Sequence, residues 1–128
     1  YAFRVADTAI ARGLLPHTIS TDLHKRCLER PVHDLATTMA KLMAAGMPFA
    51  DVVAAVTLRP MAILGLTTAG LLDPGARAEF TVFDLVDADV PIADSMGNRA
   101  RLERLVEPRW TVLGRELVAA SRHPSHAA

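Results

Sequence analysis

The feature that most constrains this chain is a four-residue segment, Thr18–Thr21, that has strand character and a helical pattern on either side. The segment is rich in β-branched residues and is bounded by Pro16 and Asp22, which are typical of strand ends. A buried strand cannot leave its backbone groups unpaired, and this one has no strand near it in sequence. We therefore interpret it as one strand of a parallel α/β sheet whose partner strands lie elsewhere.

The residues around this segment predict helices. Apolar residues recur at helical spacing from Phe3 to Ile10. Asp34 is a good N-cap for a second helix, which Gly46 ends. Pro48 is expected at the first position of a third helix, and Pro60 interrupts the pattern before a last short helical turn.

The character of the chain changes after these helices. Asp73–Gly75 and Met96–Asn98 are turn signals, and Phe80–Leu85 alternates like a strand. A hairpin is expected around Gly114, and residues 121–128 are expected to be a flexible tail. We expect four or five short antiparallel strands in this part.

Composition excludes several classes of protein. With 51% hydrophobic and 22% charged residues among 128, and no net charge, the chain should have a packed core and offers no basic surface for nucleic acid. The longest apolar stretch is broken by Asp51 and Arg59, so no membrane span is expected, and the first residues do not resemble a signal peptide. One cysteine, Cys27, fits a reducing compartment, so we expect a cytoplasmic protein.

Asp22 is the first candidate for chemistry, because a carboxylate at the carboxyl end of a strand is where α/β barrels place their sites. It could be a metal ligand or a general acid or base, but an aspartate in a turn or at a helix N-cap would look the same. His24 follows two residues later and could flank the same site.

The loop after Asp22 offers weaker alternatives. His24, Cys27 and His33 could suggest zinc, but their spacing matches no usual finger and a fourth ligand is lacking. Cys27 as a nucleophile would need an orienting base. Arg26 and Arg30 could hold a substrate carboxylate or could simply be solvated.

Four stretches in collinear order, "LPHTISTDLH", "PVHDLATTMAKLMAAGM", "VTLRPMAILGL" and "GLLDPGARAEFTVFDL", resemble the C-terminal part of the amidohydrolase superfamily. The likeness is greatest to the dihydroorotase-like amidohydrolases and deacetylases. The resemblance implies an α/β fold, in which Thr18–Thr21 is the last strand of a (β/α)8 TIM barrel. Residues 1–66 would supply that strand and the closing helices of the barrel, and residues 67–120 part of a small β-sandwich.

The resemblance also implies a metal-dependent hydrolase that cleaves an amide or ester bond of a small molecule, such as an N-acyl group or a cyclic amide, through a metal-activated water. One or two divalent metal ions, zinc by expectation, would be held at the strand ends. Asp22 would match the aspartate that binds the metal and relays the proton, and His24 a substrate-contacting residue. Ala36 and Glu79 depart from the family pattern, which carries proline and aspartate at these places.

The other metal ligands of that family would lie upstream of Tyr1, so the resemblance implies a missing N-terminal barrel portion as the main partner, and the 128 residues alone should be inactive. The competing hypothesis is a truncated, non-catalytic module that folds by association with another chain, including a second copy of itself. Neither hypothesis involves nucleic acid or a membrane.

Overall fold

The computed structural model describes residues 1–24, 34–66 and 72–120. Within these ranges, four helices precede one antiparallel sheet with the strand order β1-β2-β3. The helices are α1 (Phe3–Ala11), α2 (Leu35–Ala44), α3 (Phe49–Val56) and α4 (Leu58–Ile63), and the strands are β1 (Glu79–Ala93), β2 (Arg99–Leu113) and β3 (Glu116–Ala119).

Helix α2 joins the helical part to the sheet. Its Met39 and Leu42 belong to an apolar cluster with Val52 of α3 and Val106 of β2. Its Ala40 belongs to a second cluster that includes Leu102 of β2, which is 1% exposed. Because α2 contributes to both clusters, the first-half helices and the sheet share their hydrophobic cores.

The ends of α2 are those that its sequence predicts. The Asp34 carboxylate accepts a hydrogen bond from the amide of Thr37 at 2.6 Å, so its prediction as the N-cap is confirmed. After the helix, Gly46 adopts φ +93°, a value that a residue with a Cβ rarely takes, and the amide of Met47 donates back to the carbonyl of Leu42. This turn directs the chain into α3.

Pro60 causes a break in the next helical stretch, and the break lies several residues before Pro60 itself. Helix α3 ends at Val56, four residues before Pro60, and Pro60 lies inside the first turn of α4. A proline ring collides with the carbonyl four residues earlier, so the break has to come at Val56, whereas the first turn of a new helix tolerates proline. In α3 itself, Pro48 is the N-cap and not the first helical residue. No helix in the described ranges is long and apolar enough to cross a bilayer.

The sheet confirms the predicted hairpin and corrects the number of strands. Val112 pairs with Leu117, and the next pair, Leu113 with Glu116, closes a two-residue turn in which Gly114 has φ +64°. The expectation of four or five short strands is wrong for residues 72–120: β1 and β2 are each 15 residues long, and β3 is the only further strand described there. The pairing register of β1 and β2 shifts after Val82 and again after Asp87. With these irregularities the two long strands stay in one ladder, although the alternation of their side chains between the two faces is interrupted.

No strand in the described residues pairs with Thr18–Thr21, so its interpretation as a barrel strand with partners elsewhere stays a prediction. The segment is held by the amide of Ile19, which donates to the carbonyl of Ala55 at 2.9 Å. A strand is recognised by the ladder that a neighbouring strand supplies, and the interpretation places those neighbours outside these residues.

Candidate functional site

Asp22 has an unusual backbone. Its φ is +51°, and it is the only residue other than glycine with a positive φ in the described ranges. This left-handed conformation is disfavoured for residues with a Cβ, although aspartate tolerates it better than most. Such conformations persist where the surrounding structure enforces them, and they cluster at functional sites.

The residues before and after Asp22 hold this turn. The Thr21 hydroxyl accepts a hydrogen bond from the amide of Leu23 at 3.2 Å. On the other side, Ile19 packs against the cluster that contains Val52 and is hydrogen-bonded to Ala55. The turn is therefore connected to the core of the helical part through residues 19–21.

Asp22 lines a cavity of about 560 Å³. The cavity lies between the N-terminal residue, the Thr18–Thr21 segment, α2 and the turn that joins β1 to β2. Its lining residues are Tyr1, Pro16, Thr18, Ile19, Ser20, Thr21, Asp22, Thr38, Lys41, Leu42, Asp94 and Ser95. Two aspartates and one lysine thus line one cavity large enough for a small molecule.

Asp94 is the most fully hydrogen-bonded carboxylate among these residues. It is 5% exposed and accepts from the amides of Phe3, Met96 and Asn98 and from the side-chain amide of Asn98, at 2.8 to 3.0 Å. Burial alone would raise the pKa of Asp94, but the hydrogen bonds from Asn98, Phe3 and Met96 outweigh it and lower that pKa to about 2. Asp94 is therefore ionised at neutral pH and joins the start of α1 to the β1–β2 turn.

Lys41 and Tyr1 are the other titratable groups with shifted pKa values in this cavity. Burial lowers the pKa of Lys41, and the carboxylates of Asp94 and Asp34 partly oppose that shift. Burial, Asp7 and Asp94 raise the pKa of Tyr1 to about 12, and its hydroxyl donates to the Lys41 carbonyl at 3.2 Å. The Tyr1 phenol is therefore protonated at neutral pH.

The other sequence candidates are placed differently. His24 is exposed and is not among the residues that line this cavity. Arg26, Cys27, Arg30 and His33 lie outside the described residues, so the alternatives of a zinc site, a nucleophilic thiol and an arginine-bound carboxylate lie there too.

A metal site needs more ligands than this part of the chain provides. No group of three or more histidine, cysteine, aspartate or glutamate side chains that could hold an ion occurs in residues 1–24, 34–66 and 72–120. A catalytic zinc takes about three protein ligands, so Asp22 could be one member of a larger set but cannot form the site with its described neighbours.

Sequence reasoning overlooked Lys41 and Asp94. The signal for Asp94 was present, because Asp94-Ser-Met-Gly97 has aspartate first and glycine fourth, as type I turns prefer. The signal for Lys41 was a single charge among the apolar residues of α2, which alone does not show whether the side chain is buried.

Comparison with protein families finds one that accounts for most of the chain. Residues 4–115 match the Amidohydrolase family. Among solved structures, a dihydroorotase is 56% identical with a TM-score of 0.92, over 96% of this chain and 33% of that one. An adenine deaminase is 31% identical with a TM-score of 0.87, over 94% of this chain and 33% of that one.

Curated relatives agree with these likenesses. A deacetylase of Agrobacterium fabrum is 56% identical over 123 residues, which are 96% of this chain and 30% of the relative. A deacetylase of Enterococcus faecalis is 34% identical over 118 residues, 91% of this chain and 32% of the relative. The chain therefore spans about a third of the length of the relatives it matches.

Proposed function

Because this chain belongs to the amidohydrolase family, we propose that it is the C-terminal part of a hydrolase that cleaves C–N bonds other than peptide bonds. Relatives named deacetylase, dihydroorotase and adenine deaminase support a carbon–nitrogen bond as the target. An N-acyl group or a cyclic amide of a small molecule is the proposed substrate, and an ester is a related possibility within the same chemistry. The cytoplasm is the proposed location.

One observation carries the assignment of the catalytic residue. Asp22 combines a left-handed backbone with a place on the wall of a 560 Å³ cavity. Asp94 lines the same cavity, but all of the hydrogen bonds it accepts serve the junction of α1 with the β1–β2 turn. The exposed carboxylate of Asp22 is thus the better candidate for contact with a reacting molecule.

Asp22 would act in proton transfer. During hydrolysis of an amide, its carboxylate would accept a proton from the attacking water and then donate it to the nitrogen of the leaving amine. A single carboxylate can perform both steps because the proton lost by the water is the one that the amine needs. His24 is proposed to contact the substrate from the loop that follows.

A divalent metal, zinc by expectation and one or two ions in number, is proposed for the complete enzyme, with Asp22 as one ligand. When bound, such an ion polarises the carbonyl group and makes water a better nucleophile. The remaining ligands would come from the N-terminal barrel portion, which the proposal places upstream of Tyr1.

The upstream portion would also complete the fold. In the proposed arrangement, residues 1–66 close a (β/α)8 barrel and residues 67–120 contribute to a β-sandwich. The exposed face of the sheet supports this: Val82 pairs with Trp110, and Phe80 and Leu117 both pair with Val112. The side chains of Phe80, Val82, Trp110 and Leu117 on this face are 39% to 63% exposed. A sandwich would cover such apolar side chains with a second sheet.

The first experiment measures hydrolysis of a panel of N-acetyl and cyclic amides by the full-length protein and its Asp22→Asn variant. Loss of a general acid and base should lower kcat by roughly 10²- to 10⁴-fold. Asp87→Asn is the matched control, because Asp87 is exposed on β1 and does not line the cavity. Full activity of Asp22→Asn would reject the assignment, and absence of hydrolysis by the wild-type protein across the panel would reject the proposed function.

The second candidate is a non-catalytic module that folds by association with another chain. The same exposed apolar side chains of the sheet favour it, since they would be covered by any partner. Sedimentation of the 128-residue chain and the hydrolysis assay of the longer polypeptide together distinguish the two candidates. Concentration-dependent oligomers of the 128-residue chain, combined with no hydrolysis by the longer polypeptide, would support the module.

A further inference from the structure

We propose that the Thr21 hydroxyl is a positioning group that holds Asp22 in its left-handed conformation; this inference rests on the proposed function of Asp22. Thr21 lies between Ile19, whose amide is hydrogen-bonded to the carbonyl of Ala55, and the turn at Asp22. Its own hydroxyl oxygen accepts from the amide of Leu23 at 3.2 Å, so the hydrogen bond spans Asp22.

The geometry explains why a hydroxyl is useful at this position. A threonine or serine oxygen that accepts from the amide two residues later closes a small ring around the residue between them. That residue is Asp22, whose φ of +51° is unfavourable for an L-amino acid. The ring offsets part of this cost and limits the directions in which the Asp22 carboxylate can point.

The Thr21 side chain is also suitably supported for this role. Ile19, two residues earlier, is tied to Ala55 by a backbone hydrogen bond and packs on the helical core. Thr21 is half-buried, whereas Asp22 and Leu23 are exposed. The Thr21 hydroxyl is therefore the group nearest to Asp22 on the preceding chain that links the Asp22 turn to the segment anchored on the core.

Removing the Thr21 hydroxyl should change different measured quantities if its role is positioning than if its role is purely structural. Orientation of a proton-transferring carboxylate matters most in the transition state, so its loss should lower kcat and kcat/KM together and leave KM unchanged. Loss of one modest hydrogen bond at an exposed turn should leave the melting temperature close to that of the wild type.

The test uses the full-length protein with Thr21→Val, which keeps the shape of the side chain and removes the hydroxyl. We expect kcat to fall roughly three- to tenfold, because the net free energy of one hydrogen bond corresponds to about that factor in a rate constant. Thr21→Ser, which restores the oxygen, should recover most of the activity. A crystal structure of Thr21→Val should show Asp22 outside the left-handed region or with its carboxylate redirected.

Thr8→Val is the matched control. The Thr8 hydroxyl donates to the Arg4 carbonyl at 2.7 Å on the surface of α1, so this variant loses a hydroxyl and a hydrogen bond away from the cavity, and its kcat should not change. Unchanged kcat in Thr21→Val, no recovery in Thr21→Ser, or an effect on KM or melting temperature alone would overturn the inference. Loss of activity in Asp22→Asn combined with full activity in Thr21→Val would reject the inference and leave the proposed function standing.

Discussion

Asp94 and Asp22 line the same cavity, but they lie in turns of different kinds. Asp94 is buried, accepts from three backbone amides and from the Asn98 side chain, and has a pKa of about 2. Asp22 is exposed and has a backbone conformation that its neighbours must enforce. One aspartate uses its oxygens to stabilise the fold, whereas the other keeps its carboxylate available.

The comparison teaches that a buried carboxylate in a cavity is not automatically the reactive one. A group whose oxygens are occupied by internal hydrogen bonds is a poor proton carrier, since it would have to give up those bonds to accept a proton. Strain and exposure at Asp22, together, are the better indication of chemistry.

The largest expected effect comes from Asp22→Gly. Glycine adopts a positive φ without strain, so the full-length variant should keep its stability to within about 1 kcal/mol. Its kcat should nevertheless fall by roughly 10²- to 10⁴-fold, because the carboxylate is gone. Parallel measurement of hydrolysis rate and urea midpoint checks this. A stable variant with normal activity would show that the Asp22 carboxylate, like that of Asp94, takes no part in the reaction.

The next effect concerns the core on which the Asp94 turn rests. Leu102 is 1% exposed and belongs to the cluster that includes Ile92, two residues before Asp94. Leu102→Ala should lower the free energy of unfolding by about 2–5 kcal/mol through lost burial and a cavity. Leu72→Ala, at a side chain that is 79% exposed, is the control and should change it by less than about 0.5 kcal/mol. Urea denaturation distinguishes the two, and equal losses would contradict the assignment of Leu102 to the core.

A smaller effect is expected at Asp94 itself, and it should depend on pH. Asp94→Asn should lower the urea midpoint near pH 7, by less than Leu102→Ala does, because the amides of Met96 and Asn98 lie at an exposed turn where water can replace a partner. The pKa of Asp94 is lowered from 3.8 to about 2 by folding, so its contribution is present above about pH 4 and is lost as the pH falls towards 2.

Urea midpoints of the wild type and Asp94→Asn, measured at several pH values from 7 down to 2, test that window. The difference between the two proteins should be constant at neutral pH and shrink below about pH 4. A difference that grows on acidification would mean that the sign of the pKa shift is wrong.

The smallest effect tests the cost of a left-handed backbone away from the cavity. Gly114 has φ +64°, and a Cβ placed there would meet no atom within 4 Å, so any penalty of Gly114→Ala is conformational. We expect a loss of about 1 kcal/mol in the free energy of unfolding. If Gly114→Ala leaves the free energy of unfolding unchanged, the positive φ of Asp22 is no longer an indication of backbone strain.

The sequence predicted best where the cause of a structure is local. The N-cap at Asp34 and the hairpin around Gly114 each depend on residues a few positions apart, and both predictions are confirmed. The break before Pro60 is local as well, but it occurs at Val56 because the ring acts on a carbonyl one helical turn earlier.

Predictions that depend on distant partners fared less well. The barrel strand at Thr18–Thr21 stays a prediction, because no strand in the described residues pairs with it and its proposed partners lie elsewhere. The strand count was wrong because irregular pairing lets β1 and β2 continue through interruptions in their alternation. The roles of Asp22 and His24 remain predictions. The turn at Asp94 had a local signal, but its hydrogen bond with Phe3 joins residues 91 positions apart and could not be predicted.

By itself, the sequence determined the ends of α2, the hairpin turn at Gly114, the position of Asp22 and the likeness to amidohydrolases, because each is encoded in short stretches of chain. Only the tertiary structure decided that Asp94 and Lys41 share a cavity with Asp22, and that Asp22 alone among the described non-glycine residues has a positive φ. The physical reason is that burial and hydrogen bonding between remote segments set those properties, and neither can be read from the order of residues.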